Sequence, residues 1–187
     1  MYTRNRICDT MLKMMEQKPY SKVKISELVD KAEVSRSTFY FYFESIISVV
    51  DALEDDLLGM LPSDETLAMA YQSAQDGSVS SITIAGLVAK RLEKHLNAFR
   101  ILSGPNGRNE FQEKFHTKSL HMLRLMSSRS VGDKSTSLLN EFWSGSQWYA
   151  YKWWANKESN LSAQDLIDLT VLAMTDLKKL FLNASNI

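Results

Sequence analysis

The run Val34-Ser35-Arg36-Ser37-Thr38-Phe39-Tyr40-Phe41-Tyr42-Phe43 sets consecutive aromatics behind a Ser-Arg-Ser-Thr start. Ser35 carries the hydroxyl an N-cap needs to take an orphan amide of the first turn, so a helix is expected to begin at Arg36. Wound at about 100° per residue, Phe39 and Phe43 fall on one side and Ser37 and Phe41 on the other, with Thr38 and Tyr40 on the flanks. Such a helix locks two rings into a core and presents hydroxyls, a phenol and a guanidinium outward. Those groups suit phosphate oxygens and base edges, which a helix laid in the major groove of a duplex must meet. The competing reading is an aromatic core helix, but Tyr40, Phe41 and Tyr42 cannot all be buried on so short an element.

Upstream, Thr3 can cap a first helix whose Ile7, Met11, Met14 and Met15 follow the i, i+4, i+7, i+8 spacing of a buried stripe, ending near Lys18-Pro19. Pro19-Tyr20-Ser21-Lys22-Val23 turns the chain, and Ile25, Leu28, Val29 and Ala32 mark the inner face of a short second helix. Glu33 is the bend before Val34. A short helix, a tight turn and a helix opening on Ser35, preceded by one supporting helix, form a helix-turn-helix pattern. Downstream, Ser45 to Leu61 reads as a fourth helix, with Ile46, Ile47, Val49, Val50, Leu53, Leu57 and Leu58 on a broad apolar side. Asp51, Glu54, Asp55 and Asp56 are expected to cover its outer face. With no His or Cys among them, a solvated face explains these carboxylates better than a metal site does.

The 187 residues have room for one or two compact domains. Leu, Met, Lys and Glu are plentiful and no series of alternating β-branched runs occurs, so an all-α protein is expected. No stretch approaches the ~20 apolar residues of a membrane span. Met1-Tyr2-Thr3-Arg4 lacks the apolar core of a signal peptide, so a cytoplasmic location without a membrane partner is expected. The single cysteine, Cys8, excludes an internal disulfide framework, and its simplest role is a small apolar residue on the first helix. The formal net charge is zero, against nonspecific coating of nucleic acid, yet the charges are unevenly spread. Residues 1–43 hold eight Lys or Arg against five Asp or Glu, whereas residues 51–76 hold seven acidic side chains and no basic one. The basic end is the one expected to face DNA, with affinity resting on two copies more than on bulk electrostatics.

Lys18-Pro19-Tyr20, the span Leu28 to Ala32, the run Val34 to Tyr40 and Phe43 agree in spacing and turn length over about fifty residues. On these residues, 4–53 closely resemble the DNA-binding domain of the TetR/AcrR family of bacterial transcriptional regulators. The resemblance implies a helix-turn-helix DNA-binding domain over 1–45 joined to a helical-bundle ligand-binding and dimerisation domain over 46–187, with the fourth helix as the lever between them. It implies that Arg36, Ser37, Thr38, Tyr40, Phe41 and Tyr42 touch operator DNA, and that Lys24, Ile25 and Ser26 meet backbone phosphate. It further implies a homodimer on a palindromic double-stranded operator, a repressor released by an unknown small-molecule effector. Two departures stand out. Glu33 replaces the common turn glycine, at a cost of about 1 kcal/mol if the bend is left-handed. Ile46 replaces the usual lysine at the start of the fourth helix, removing a phosphate contact. Both favour the alternative of a TetR-fold protein acting through a protein partner, a co-activator or co-regulator with weak or no DNA binding of its own.

Beyond Glu65, helices are expected over 65–75, 81–103, 109–128 and 136–156 and from Ser162 to about Leu182. Asp76-Gly77-Ser78, Gly104-Pro105-Asn106-Gly107-Arg108 and Gly132-Asp133 read as breaks. Leu102 to Gly107, Phe111, Phe115 and Trp153-Trp154 resemble the C-terminal region of a TetR branch that includes regulators of dihydroxyacetone kinase genes. None of the three histidines, His95, His116 and His121, has metal-ligand spacing, and no phosphate loop, dinucleotide fingerprint or nucleophile elbow occurs. No enzyme, metal or cofactor is therefore expected. His95, Phe99, Phe115, Leu123, Trp143, Gln147 and Tyr151 either line an apolar ligand pocket with a few polar groups or pack a bundle core. The last helix has apolar stripes on two sides, one of which needs a partner. Trp148, Leu166, Leu169, Ala173, Leu177 and Leu180 are the expected dimer surface, in a four-helix arrangement of two helices from each copy.

Overall fold

The computed structural model describes residues 2–66, 69, 91–126, 134–156 and 161–184, and every regular element among them is helical. Helix α1 (Tyr2–Met15) starts one residue before Thr3, which thus lies in the first turn and does not cap it. Its stripe of Ile7, Met11 and Met15 is fully buried, as the spacing predicts. A 3-10 turn, Tyr20–Lys22, follows Pro19. Then come α2 (Ile25–Lys31), α3 (Arg36–Tyr42) and α4 (Ile46–Leu58). Helix α1 packs on α2 and α4, α2 packs on α3, and the 3-10 turn packs on α4. Leu28, Phe39, Val49 and Val50 close this core with no exposed surface beyond a trace. A phenylalanine so enclosed typically costs about 3–5 kcal/mol when cut to alanine.

Helix α4 opens on a reciprocal capping box: Ser45 Oγ accepts from the Ser48 amide at 3.2 Å, and Ser48 Oγ accepts from the Ser45 amide at 3.0 Å. The expectation that four carboxylates cover its outer face is corrected. Asp55 and Asp56 are exposed, but Glu54 is 0% exposed and Asp51 is half-buried. The reason is register. Glu54 lies four residues after Val50 and three before Leu57, on the buried side of α4, and Arg108 compensates its charge. Ile47, counted on the apolar face, is exposed instead.

Packing gathers the chain into two compact units, Met1–Gly59 with Asn97–Gln112, and Met60–Leu96 with Glu113–Ile187. Helix α4 and the segment 97–112 thus both travel with the first three helices. That segment holds most of α5 (Leu96–Leu102), the loop after it and the first turn of α6 (Asn109–Met126). The single helix expected over 81–103 is, in its described part, interrupted at His95, whose amide bonds the Leu92 carbonyl at 3.0 Å. Beyond the break, Asn97 Nδ2 donates to Glu16 Oε1, just after α1, at 3.0 Å, and Phe99, Ile101 and Leu102 are buried. These contacts recruit the residues after His95 into the N-terminal core.

The second unit contains the rest of α6, α7 (Lys134–Ala155) and α8 (Ala163–Ala184), with α7 packed on α8. The Ser162-to-Asp165 start of α8 is a second capping box. Asp165 accepts from the Ser162 amide at 2.9 Å and hydroxyl at 2.6 Å, and these bonds hold its carboxyl below its ordinary pKa. The expected helix over 65–75 and the breaks at 76–78 and 132–133 lie largely outside the described residues.

Candidate nucleic-acid interface

The turn before α3 is built by a helix end. The Val34 amide reaches the Val29 carbonyl at 3.0 Å and the Glu33 amide reaches the Asp30 carbonyl at 3.2 Å, the paired bonds of a Schellman motif closing α2. That motif needs a left-handed residue at Glu33, and its φ is 51°. The strain foreseen for a glycine replaced by glutamate is therefore present. Arg6 Nη2 donates to the Glu33 carbonyl at 2.9 Å and ties the strained bend to α1.

Ser35 then caps α3, accepting from the Thr38 amide at 3.0 Å. Its oxygen also lies 2.7 Å from Ser37 Oγ and 2.8 Å from Thr38 Oγ1, so both downstream hydroxyls join the cap. On the inner side, Phe39 is 0% exposed and packs beside Phe43, ring centres 6.0 Å apart, with the Arg4 guanidinium 5.9 Å from the Phe43 ring centre. On the outer side Tyr40 is 57% and Phe41 80% exposed. A ring fixed inward at Phe39 forces the residue two positions on to point away from the core. Of the residues named for DNA contact, Lys24, Arg36, Ser37, Tyr40 and Phe41 are exposed, and Ile25, Ser26, Thr38 and Tyr42 are half-buried. Ile46, standing where a lysine was looked for, is half-buried.

The loop 104–108 does more than connect helices. Arg108 Nε and Nη2 donate to the two carboxylate oxygens of Glu54 at 3.0 and 2.7 Å, and Nη2 also bonds Asp51. The Arg108 side chain is 7% exposed, and the Glu54 hydrogen bond raises its pKa further. Asn106 clasps the other side: its Nδ2 donates to the Met15 carbonyl at 2.8 Å, and its own carbonyl accepts from the Tyr20 amide at 3.1 Å. Gly107 makes the approach possible, since a Cβ there would stand 1.9 Å from the Leu102 carbonyl oxygen. No residue of this clasp was among the candidate site residues. The available signal was Glu54 sitting on the apolar side of α4.

In the second unit, Phe115 packs on Trp148 and Tyr151 with ring centres 5.4 and 5.9 Å away, and burial pushes the Tyr151 hydroxyl up to about 12. Ser119 Oγ donates to Gln147 Oε1 at 2.6 Å, and Leu123 and Trp143 are buried. Phe115, Leu123, Trp143, Gln147, Tyr151 and half-buried His95 thus share one unit, whereas Phe99 belongs to the other, against Phe111 at 5.9 Å. His116 stands between Glu141, 3.1 Å from Nε2, and Ser144, 2.8 Å from Nδ1. The order imitates a nucleophile, base and acid. Ser144 is fully buried, however, and its hydroxyl also donates to the His116 carbonyl at 3.2 Å, so it clasps α7 to α6 where no substrate can reach. Among the described residues no three His, Cys, Asp or Glu side chains gather to hold a metal ion, and no helix is long and apolar enough to cross a membrane.

Of the residues named for dimerisation, Trp148 and Leu166 are buried within the protomer, Leu169 and Ala173 are exposed and Leu177 is half-buried. The Leu180 side chain lies outside the described residues. Helix α7 adds a row that was not foreseen: Leu138, Phe142, Tyr149 and Trp153 are all exposed and recur every four or seven residues, with Gly145 between them.

A helical head whose capped third helix turns aromatics and a guanidinium to solvent, joined to further helices, is a protein of the helix-turn-helix class. Within that class residues 7–53 match the family model of the bacterial regulatory proteins, tetR family, so the N-terminal domain is that of the TetR family. Solved structures with a similar fold include a TetR transcriptional regulator from Streptococcus agalactiae, 20% identical, covering 92% of this chain and 93% of that one, with a TM-score of 0.65. The dihydroxyacetone kinase operon activator DhaS is 15% identical over 96% of this chain and 97% of its own, with a TM-score of 0.66. A tetR-family regulator from Streptomyces coelicolor is 15% identical over 96% and 82%, with a TM-score of 0.65. No curated protein matches the chain at the level of sequence.

Proposed function

We propose that the protein is a homodimeric DNA-binding transcriptional regulator whose α3 helices enter the major groove of a palindromic operator, and that a small-molecule effector in the C-terminal helices releases it. One observation carries this reading: Phe39 and Phe43 are locked inside the head while Arg36, Ser37, Tyr40 and Phe41 stand in solvent. Lys24 at the start of α2 is exposed to reach phosphate in the same docking. The functional division is a reading head over 1–45 and a sensing and dimerising domain over 46–187, with α4 as the lever. A dimer must hold its two α3 helices about 34 Å apart, one turn of B-DNA, so an effector that changes this spacing changes affinity.

Partner contacts fall to the exposed row of α7 and to Leu169, Leu172 and Ala173 of α8, since these apolar positions are open on two packed helices. Effector contacts fall to Gln147, Tyr151, His95 and the apolar residues around them. The direct test is enrichment of duplexes from a random library by the full-length chain, followed by gel shifts with Tyr40→Ala. Enrichment of a two-fold symmetric site that the variant binds poorly supports the proposal, and enrichment of no sequence refutes it.

A second reading, action through a protein partner with weak DNA contact, is favoured by the apolar pair Ile46 and Ile47 at the start of α4, where a lysine would have supplied a phosphate contact. One of the similar structures is that of an operon activator, and the same head can serve activation or repression. Copurification of a partner that restores operator binding absent from the isolated dimer would establish this reading over the first.

A further inference from the structure

We propose that Phe41 is a specificity-determining residue that reads the 5-methyl group of a thymine in each operator half-site. The inference rests on the DNA-binding role argued above and adds to it the identity of one base. Phe41 is 80% exposed on the side of α3 opposite fully buried Phe39, so it cannot turn inward without unwinding the helix. Its ring is not loose either. Tyr42 stands edge-on to it, centroids 4.9 Å apart and planes at 90°, which restricts where the ring can point.

The polar contacts open to this face belong to its neighbours Arg36, Ser37 and Tyr40, and a phenyl ring has no donor or acceptor to add. Pressed on a phosphate it would strip water from an anion and return no hydrogen bond. In the major groove the protruding apolar group among the base edges is the thymine 5-methyl, which an exposed phenylalanine can cover. Placing Phe41 there buries two apolar surfaces that would otherwise both stay wet.

The test begins with duplexes enriched by the full-length chain and replaces each thymine in turn by deoxyuridine, which deletes only the methyl. For the unaltered protein, one symmetric pair of positions is expected to weaken binding about four-fold per half-site, the worth of one buried methyl-sized group. Phe41→Ala should bind the parent duplex more weakly and lose all sensitivity at that pair. Because Phe41 is outside the core, an unchanged melting temperature is the expected control, and Phe41→Leu should keep part of the discrimination. Equal binding of every deoxyuridine duplex by the unaltered protein, or undiminished sensitivity in Phe41→Ala, overturns the assignment and leaves the DNA-binding role standing. Failure to enrich any duplex overturns both.

Discussion

The head and the C-terminal helices each leave large aromatics in solvent, but in different company. On α3, Tyr40 and Phe41 stand beside Arg36, Ser37 and the hydroxyls of the cap, over a core closed by Phe39. On α7, Leu138, Phe142, Tyr149 and Trp153 form a row spaced as a helix spaces one face, around Gly145, with Leu169 and Leu172 exposed on α8. A mixed row of rings, hydroxyls and cation fits a polyanion that also has apolar base edges. A continuous apolar row around a glycine fits another helix of the same kind. Exposure alone therefore does not identify a partner; the chemistry around the exposed ring does.

The largest expected effect is at the clasp within the unit Met1–Gly59 with Asn97–Gln112. Arg108→Ala leaves Glu54 fully buried without its guanidinium and is expected to cost about 3–5 kcal/mol of unfolding free energy in urea. The pair Arg108→Met with Glu54→Met should recover most of that loss, because the charge is removed together with its partner. If Arg108→Ala unfolds at the same urea concentration as the parent, the head does not depend on the clasp. On α7, Phe142→Glu with Tyr149→Glu is expected to weaken self-association by about 2–4 kcal/mol, enough to give a monomer mass at micromolar concentration in light scattering. A dimer that survives this change must use other surfaces.

On α3 the expected losses are smaller, and at Tyr40 they are confined to DNA. Tyr40→Ala should lower operator affinity about ten- to hundred-fold, or ~1.4–2.7 kcal/mol, with dimer mass and melting temperature unchanged. Thr38→Ala should lower affinity and stability together, since the Thr38 hydroxyl lies 2.8 Å from the Ser35 oxygen. Glu33→Gly goes the other way: relief of the left-handed strain should raise stability by about 0.5–1 kcal/mol in guanidinium unfolding. The last effect is confined to alkaline pH. Burial raises the Cys8 thiol from its ordinary 9.0 to about 11, so the native state holds that proton more tightly. Stability from the neutral thiol is complete below the unfolded value and falls as pH rises from 9.0 towards 11. Cys8→Ala should flatten melting temperature against pH over that interval.

Much of the head was legible because its signals are local. The Ser35 cap, the Met11 and Met15 stripe and the inward pair Phe39 and Phe43 each follow from spacing within a few residues, whereas the cost of Glu33 was implied only by the resemblance to a family with glycine in that turn. Less was legible further on. Spacing could not tell that Trp148 faces Phe115 inside the protomer while Tyr149, one residue on, is exposed, because α7 carries apolar residues on several sides. Nor could it show that the helix expected over 81–103 would break at His95, since the contacts that claim Asn97 and Phe99 come from Glu16 and Phe111.

The sequence by itself determined the short helices of the head, the cap at Ser35 and the two-sided character of α3, all set by backbone bonding and side-chain spacing within one or two turns. Only the tertiary structure decided that Arg108 compensates Glu54 and that Asn106 bridges Met15 and Tyr20. A buried charge or an unpaired backbone carbonyl must be satisfied, but local sequence does not name the distant group that satisfies it. Packing makes that choice, by bringing residues far apart in the chain to one place out of water.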